Sequence, residues 1–162
     1  MKNIKMTEMQ KAYYVGREDV TNGATGTHLY IEVLFAGSAD SLENALNKVI
    51  SAQPFLRAHI GNNLDFIIED SLRYQIKVID GDAFDDKIIS NIRDRLSHKI
   101  YSEKDFPLFT VELLGRNDYY RIFLSIDMLI ADGLSLFEFC REIKHYINNP
   151  TDASENRMED LL

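Results

Sequence analysis

The sequence has little cysteine, proline or positive charge: one Cys, three Pro and no Trp occur in 162 residues. A single cysteine excludes a disulfide within the chain and a cysteine-based zinc site. The 18 Lys and Arg residues are outnumbered by 26 Asp and Glu, giving a net charge of −8. That balance disfavours binding to nucleic-acid backbones, which depends on basic patches. The most apolar stretch, residues 122–131, contains Ser125 and Asp127 and is too short to cross a bilayer.

The remaining composition is that of a globular domain. Hydrophobic residues make up 45% of the chain and charged residues 27%, which excludes wholesale disorder. The length corresponds to one domain that can bury a substantial core. Residues 1–6 lack the apolar segment of a secretory signal. We therefore expect a soluble cytoplasmic protein.

Hydrophobic periodicity and turn residues predict an α/β (α+β) chain in which helices cover a mixed β-sheet. Helices are predicted over residues 7–16, 40–53, 82–100 and 133–147, and strands over 28–35, 55–60, 64–69, 74–79, 108–114 and 119–126. The last helix is expected to bury Leu134, Phe137, Cys140, Ile143 and Ile147. Residues 20–26 are predicted to form a loop. We expect residues 1–150 to form one unit and 151–162 an acidic flexible tail.

The segment from Ser125 to Ser135 is the most unusual, because it places two carboxylates in an apolar run between a strand and a helix. An ionised carboxylate is costly to bury unless a cation or several hydrogen bonds accompany it. One interpretation is that Asp127 and Asp132 are buried with such partners. The other is that Asp132 or Ser135 caps the helix while Asp127 ends the strand in solvent.

Other reactive side chains carry weaker signals. The four histidines are not spaced as metal ligands, so we interpret them as structural or surface residues. Cys140 has no base near it in the sequence, which favours a packing role over a nucleophilic one.

Four sequence stretches, in family order, resemble heterocyclization domains of nonribosomal peptide synthetases, which are relatives of condensation domains. Asp127, Asp132 and Ser135 match their Asp-x4-Asp-x2-Ser signature, where condensation domains have His-His-x3-Asp-Gly. Residues 7–17 resemble Thr-x2-Gln-x-Ala-Tyr-x2-Gly-Arg, and residues 26–32 resemble Gly-x-His-x-Tyr-x-Glu. Residues 54–58 resemble the end of Arg-His-Pro-x-Leu-Arg-Ala, but Ala52 and Gln53 replace its Arg-His pair.

The resemblance implies the N-terminal lobe of a two-lobed domain, with a fold like a chloramphenicol acetyltransferase subunit. Such domains condense a carrier-bound acyl thioester with carrier-bound Cys, Ser or Thr, then cyclodehydrate it to a thiazoline or oxazoline. No metal or diffusible cofactor is implied, because substrates arrive on phosphopantetheine arms of carrier proteins. The implied partners are these carriers and a C-terminal lobe, in the same domain or a separate chain. Neither nucleic acid nor membrane is expected.

For the site, the resemblance implies that Asp127, Asp132 and Ser135 shape the tunnel floor, with Met128 and Gly133 beside the substrate channel. Met128 stands where condensation domains keep their reactive histidine, so it cannot act as that base. We expect Asp132 to be at least half buried and ion-paired to Arg57. Ser135 is expected to cap the last helix.

The residues that the family ties to cyclodehydration belong to the C-terminal lobe. We therefore expect the lobe alone to be inactive, with an exposed apolar face around residues 127–132 and 108–114 that favours self-association. The alternative function is a non-catalytic module that docks a carrier protein or a partner synthetase.

Overall fold

A computed structural model describes residues 1–18 and 27–157. Within them the chain forms strands β1 (Lys2–Lys5), β2 (His28–Ala36), β3 (Ala58–Ile60), β4 (Asp65–Ile68), β5 (Lys77–Ile79), β6 (Phe109–Arg116) and β7 (Tyr119–Asp127), and helices α1 (Glu8–Glu18), α2 (Ala39–Ala52), α3 (Asp86–Leu96) and α4 (Gly133–Asn148). Among these helices, none is both long and apolar enough to cross a membrane.

The larger sheet has strand order β2-β7-β6-β5 and is mixed, because β5 pairs parallel to β6 while the other pairs are antiparallel. Helices α2 and α4 pack on one face around Leu124 and Val111, and α3 packs on the other around Phe123 and Leu114. The predicted fold class, a mixed sheet covered by helices, is confirmed.

A second sheet has the strand order β1-β4-β3. The sequence analysis predicted one mixed sheet and did not assign these strands to a second one. Its strand β1 was not predicted. Its core contains Phe66 and Ile68 together with Leu108 and Leu129, which belong to the segments flanking the ends of β6 and β7. The segment after β7 is therefore held between the two sheets.

Several element bounds differ from the prediction for local reasons. Helix α3 is shorter than predicted, because the Asp85 carboxylate accepts from the backbone N–H groups of Lys87 and Ile88 and starts the helix there. The predicted strand 55–60 begins with a 3₁₀ turn, Pro54–Arg57. Helix α1 continues past Gly16 to Glu18. The predicted loop over residues 20–26 lies outside the described residues.

The predicted inner face of α4 is wrong in part. Leu134 and Phe137 are 79% and 67% exposed, and Cys140 is exposed as well, whereas Phe139 is buried. The helix carries two apolar stripes, and periodicity does not say which one meets the sheet. The stripe that includes Phe139 and Ile143 does so.

The expectation of an exposed apolar strand over residues 108–114 is also wrong. Its apolar side chains are at most 4% exposed, and they are Leu108, Phe109, Val111, Leu113 and Leu114. Strand β6 lies between β5 and β7 and has helices on both faces, so neither face is open.

The described part of the tail is attached to the domain, unlike the expected free tail. The Arg157 backbone N–H donates to the Ala52 carbonyl at 2.9 Å. Lys48 Nζ donates to the carbonyls of Pro150 and Asp152, both at 2.6 Å. These bonds hold residues 150–157 across the end of α2. Residues 158–162 lie outside the described part of the chain.

Candidate functional site

Residues 127–132, here called the Asp loop, connect β7 to α4. Strand β7 ends at Asp127, which is paired in register with His28 of β2. The chain then turns, because the Ile130 N–H donates to the Asp127 carbonyl at 3.1 Å and the Met128 N–H donates to the Thr27 carbonyl at 3.1 Å. Both sequence-predicted aspartates therefore lie at the ends of one short loop.

Asp127 is fully enclosed and ion-paired to Arg17. The two residues are 1% and 7% exposed. Arg17 Nη1 donates to Asp127 Oδ2 at 2.9 Å, and Nη2 donates to Oδ1 at 3.0 Å. The Leu129 N–H donates to Oδ1 at 2.9 Å. Such bidentate, charge-assisted bonds are the strong ones, and they satisfy both carboxylate oxygens without solvent.

Arg17 is itself fixed by a second acceptor. Its Nη1 donates to the Tyr101 carbonyl at 2.6 Å. Burial raises the pKa of Tyr101 to about 12, so its hydroxyl stays protonated and donates to the Ser125 carbonyl at 3.0 Å. The ion pair thus joins α1, the segment around Tyr101 and the end of β7.

Helix α1 holds the Asp loop at a second point. Gln10 Nε2 donates to the Leu129 carbonyl at 2.8 Å. Gln10 and Arg17 are seven residues apart and so share one face of the helix. A capping box orients Gln10, because the Thr7 N–H donates to Gln10 Oε1 at 2.9 Å and the Gln10 N–H donates to Thr7 Oγ1 at 3.2 Å.

The polar residues of the Thr-x2-Gln motif therefore clamp the Asp loop. The sequence analysis included Gln10 and Arg17 in that motif but assigned neither of them a contact with the Asp loop. The signal available in the sequence was the position of Arg17, which is the arginine of α1 and lies on the same helical face as Gln10. A cation at that position can neutralise a buried Asp127.

Asp132 has the opposite environment, and the predicted ion pair with Arg57 is wrong. Asp132 is exposed and caps α4: its Oδ1 accepts from the Ser135 N–H at 2.8 Å and from Ser135 Oγ at 2.7 Å. These bonds from Ser135 lower the pKa of the Asp132 carboxyl. Asp132 is therefore the N-cap of α4, and Ser135 donates hydrogen bonds to it. The prediction that Ser135 caps the helix is wrong.

Arg57 instead caps the C-terminus of α2. It is 1% exposed, and its guanidinium donates to the carbonyls of Ile50, Ser51 (2.8 Å) and Glu69 (3.0 Å). The last carbonyls of a helix have no partner within the helix, and its C-terminal end favours a cation. Burial lowers the pKa of Arg57. The 3₁₀ turn directs this side chain to the end of α2 rather than to the Asp loop.

A cavity of about 480 Å³ adjoins the second half of the Asp loop. Here called the loop cavity, it is lined by Ile130, Ala131, Asp132, Leu134 and Ser135 on the loop and helix side and by residues 53–56 on the other. Gly133 is exposed and has open space where a Cβ would lie. Met128 is partly buried and lines none of the described cavities. Its place beside a substrate channel stays a prediction.

Gln53, which replaces the histidine of the Arg-His-Pro motif, lies at the wall of this cavity. Its Nε2 lies 3.0 Å from both carboxylate oxygens of the buried Glu142, and Arg157 Nη2 pairs with Glu142 Oε1 at 2.9 Å. The tail thus supplies the cation for this carboxylate, and Arg157 becomes part of the cavity wall.

We expect Asp132→Ala to lower the free energy of unfolding by about 1 kcal/mol, the usual cost of losing a helix N-cap. Because the folded pKa of this carboxyl is lowered, its stabilisation is present above the unfolded pKa and disappears as the pH falls through the folded value. Urea unfolding at neutral and at acidic pH measures both effects.

Asp132→Asn is the matched control, because asparagine caps helices as well as aspartate does. It should unfold like the wild type at neutral pH. A loss of about 3 kcal/mol or more for Asp132→Ala, which is the cost of breaking a buried ion pair, would support the buried interpretation of this residue.

Comparisons with known proteins find similar sequences and similar folds. The chain is 28% identical over 140 residues to pyochelin synthetase PchF of Pseudomonas aeruginosa strain UCBPP-PA14, covering 81% of this chain. It superposes with a TM-score of 0.84 and 26% identity on the EpoB NRPS cyclization-docking bidomain from Sorangium cellulosum, covering 93% of this chain. The chain is similar to the N-terminal lobe of a nonribosomal peptide synthetase cyclization domain and has the condensation-domain fold.

This lobe is a small part of the proteins it resembles. It spans 8% of the length of PchF and 32% of the EpoB chain. The starter condensation domain of the rhizomide synthetase RzmA superposes with a TM-score of 0.75 at 14% identity, which shows the shared fold alone. No family model matches the chain.

Proposed function

We propose that this lobe forms one wall of a heterocyclization site. The complete site condenses a carrier-bound acyl thioester with a carrier-bound Cys, Ser or Thr, then closes the side chain onto the new amide with loss of water. The observation that carries the proposal is the buried Arg17–Asp127 pair, which puts a neutralised carboxylate where condensation domains have their first histidine.

Asp127 is unsuited to proton transfer in this site. Both of its oxygens accept hydrogen bonds from Arg17, and the Leu129 N–H occupies Oδ1 a second time. A general base must lie within reach of the proton that it removes, and Asp127 is enclosed by protein with 1% of its surface exposed. The role of Asp127 is therefore to fix where the Asp loop lies.

Asp132 is solvent-exposed but a weak base. Its pKa is lowered by the bonds from Ser135, and one of its oxygens is used as the helix cap. Because Met128 also lacks a basic atom, the loop presents no group with the properties of the condensation-domain histidine. This wall contributes the shape of the site and the orientation of the substrates. Groups of the opposite lobe carry out proton transfer.

The partners and carriers follow from the same proposal. Substrates enter on phosphopantetheine arms of carrier proteins, and the lobe itself holds no diffusible cofactor. A lobe that supplies one wall loses most of the benefit of positioning, which is worth about 7–11 kcal/mol of barrier in well-oriented reactions. The lobe alone should therefore be inactive.

The test supplies both carrier-loaded substrates to the lobe alone, to the lobe with a C-terminal cyclization lobe, and to a matching two-lobed protein. Mass spectrometry of the released product separates condensation from cyclodehydration by the mass of one water. We expect ring formation only when both lobes are present. Turnover by the monomeric lobe would contradict the proposal. Carrier binding without product from the two-lobed protein would instead support the non-catalytic docking function.

A further inference from the structure

A second cavity lies away from the Asp loop, between α4 and the free edge of β2. Here called the α4–β2 cavity, it has a volume of about 350 Å³. Its floor follows one row of paired residues across three neighbouring strands: Ile31 of β2, Leu124 of β7 and Val111 of β6. Strands in a sheet are about 4.8 Å apart, so the row is about 10 Å across. The cavity is therefore a groove whose floor spans three strands of the sheet.

The walls of this cavity are apolar, and the charge at its rim has one sign. Side chains from α2, β2 and α4 line it, including Leu46, Val33 and Ile143. In a chain with a net charge of −8, no acidic residue lines the cavity, and its charged lining residue is Lys144. Lys144 is exposed, and no acidic group in the described residues pairs with it.

We propose that the α4–β2 cavity binds a single-chain amphiphile with an anionic head, such as a medium-chain carboxylate, with its hydrocarbon in the recess and its head beside Lys144. The volume is in the range of small-molecule sites, which combine apolar walls with a few polar groups that orient the ligand. The apolar floor favours the hydrocarbon part of a ligand, because removing apolar surface from water is favourable. This site shares the lining residue Phe139 with the loop cavity but is otherwise lined by different residues, and it does not depend on the proposed heterocyclization.

The one cysteine of the chain gives a direct probe of occupancy. Cys140 lines the α4–β2 cavity from α4 and is exposed in the empty protein. Its labelling by N-ethylmaleimide, a neutral reagent, reports whether the recess is open. We expect sodium decanoate, below its micelle concentration, to slow labelling by about fivefold or more, which is the effect of a ligand present at about four times its dissociation constant. Decyltrimethylammonium, which has the same chain and a cationic head, should slow labelling much less.

Two variants with matched controls separate the head from the tail of the ligand. Lys144→Gln should weaken decanoate binding by about fivefold, the upper end for an exposed ion pair, and Lys87→Gln on α3 should not. Val33→Phe should fill the mouth of the recess and abolish protection. Val78→Phe is its control, because Val78 is 46% exposed and Val33 is 45% exposed, both on edge strands, and Val78 does not line the cavity.

Sedimentation and labelling at several protein concentrations identify the occupant. Protection by decanoate in a monomer that depends on Lys144 and Val33 supports the proposal. Equal protection by both amphiphiles, or none by either, would overturn it. Protection that grows with protein concentration and accompanies dimer formation would also overturn it, because the occupant would then be a second copy at the β2 edge.

Discussion

Removing the guanidinium of Arg17 is expected to cost about 3–5 kcal/mol of unfolding free energy, because Arg17→Ala leaves the Asp127 carboxylate buried without its cation. Asp127 is 1% exposed, and the remaining donor in the structure is the Leu129 N–H. The hydrogen bond from Gln10 Nε2 to the Leu129 carbonyl would then remain between α1 and the Asp loop. Urea unfolding followed by circular dichroism measures this loss.

Two further variants sharpen the result. Arg141→Ala is the surface control: its partner Glu138 is exposed, and such pairs contribute about 0–1 kcal/mol. The double variant Arg17→Met/Asp127→Leu should recover much of the lost stability, since apolar residues of similar volume often replace buried ion pairs well. An Arg17→Ala protein as stable as the Arg141→Ala control would show that the pair does not hold the loop.

Arg57→Ala should destabilise the lobe by at least about 3 kcal/mol. It removes donors from three main-chain carbonyls, those of Ile50, Ser51 and Glu69, and an unsatisfied buried polar group costs about 1–3 kcal/mol. It also removes a cation from the C-terminal end of α2. The loss should be nearly independent of Asp132, which makes no contact with Arg57.

A double-mutant cycle between Arg57→Ala and Asp132→Ala measures that independence. Sites without shared partners add to within about 0.3–0.5 kcal/mol. A coupling energy well above that value would support the ion pair predicted from the sequence. Arg73→Ala, at an exposed position, serves as the surface control.

The sequence was sufficient for most of the fold because the elements carry strong periodic patterns. Helix α2 is an example: its apolar residues recur at helical spacing, and all of Leu42, Ala45, Leu46, Val49 and Ile50 are buried. Strand β1 was missed because four residues with two lysines carry no strand pattern and become a strand by pairing with β4. Strand β6 is buried on both faces because α2 and α4 cover one face of the sheet and α3 covers the other. These helices are distant from β6 in the sequence, so its own residues do not predict this burial.

The site shows what local patterns leave open. The apolar setting of Asp127 left two interpretations open, a buried carboxylate with a partner and an exposed strand end, and the structure shows the first. Which arginine does so depends on how α1 packs, and Arg17 and Asp127 are 110 residues apart in sequence. Asp132 was also predicted to be buried with a cation, because both aspartates lie near apolar residues. At the start of a helix, however, an exposed carboxylate accepts hydrogen bonds from the first backbone N–H groups and needs no buried cation.

The most direct test of the claim that the Asp loop orients substrates rather than moving protons is the single-turnover rate of ring closure in a two-lobed protein that carries Asp132→Asn. This change keeps the helix cap and removes the ionisable oxygen. General acid–base groups contribute about 10²–10⁴-fold to a rate. We predict a rate within about tenfold of the wild type, a difference of less than about 1.4 kcal/mol in the barrier. The Asp132→Ala protein should be slower only to the extent that it loses the helix cap. A fall of about 10²-fold or more for Asp132→Asn, with the fold intact, would contradict this and make Asp132 a proton-transfer residue.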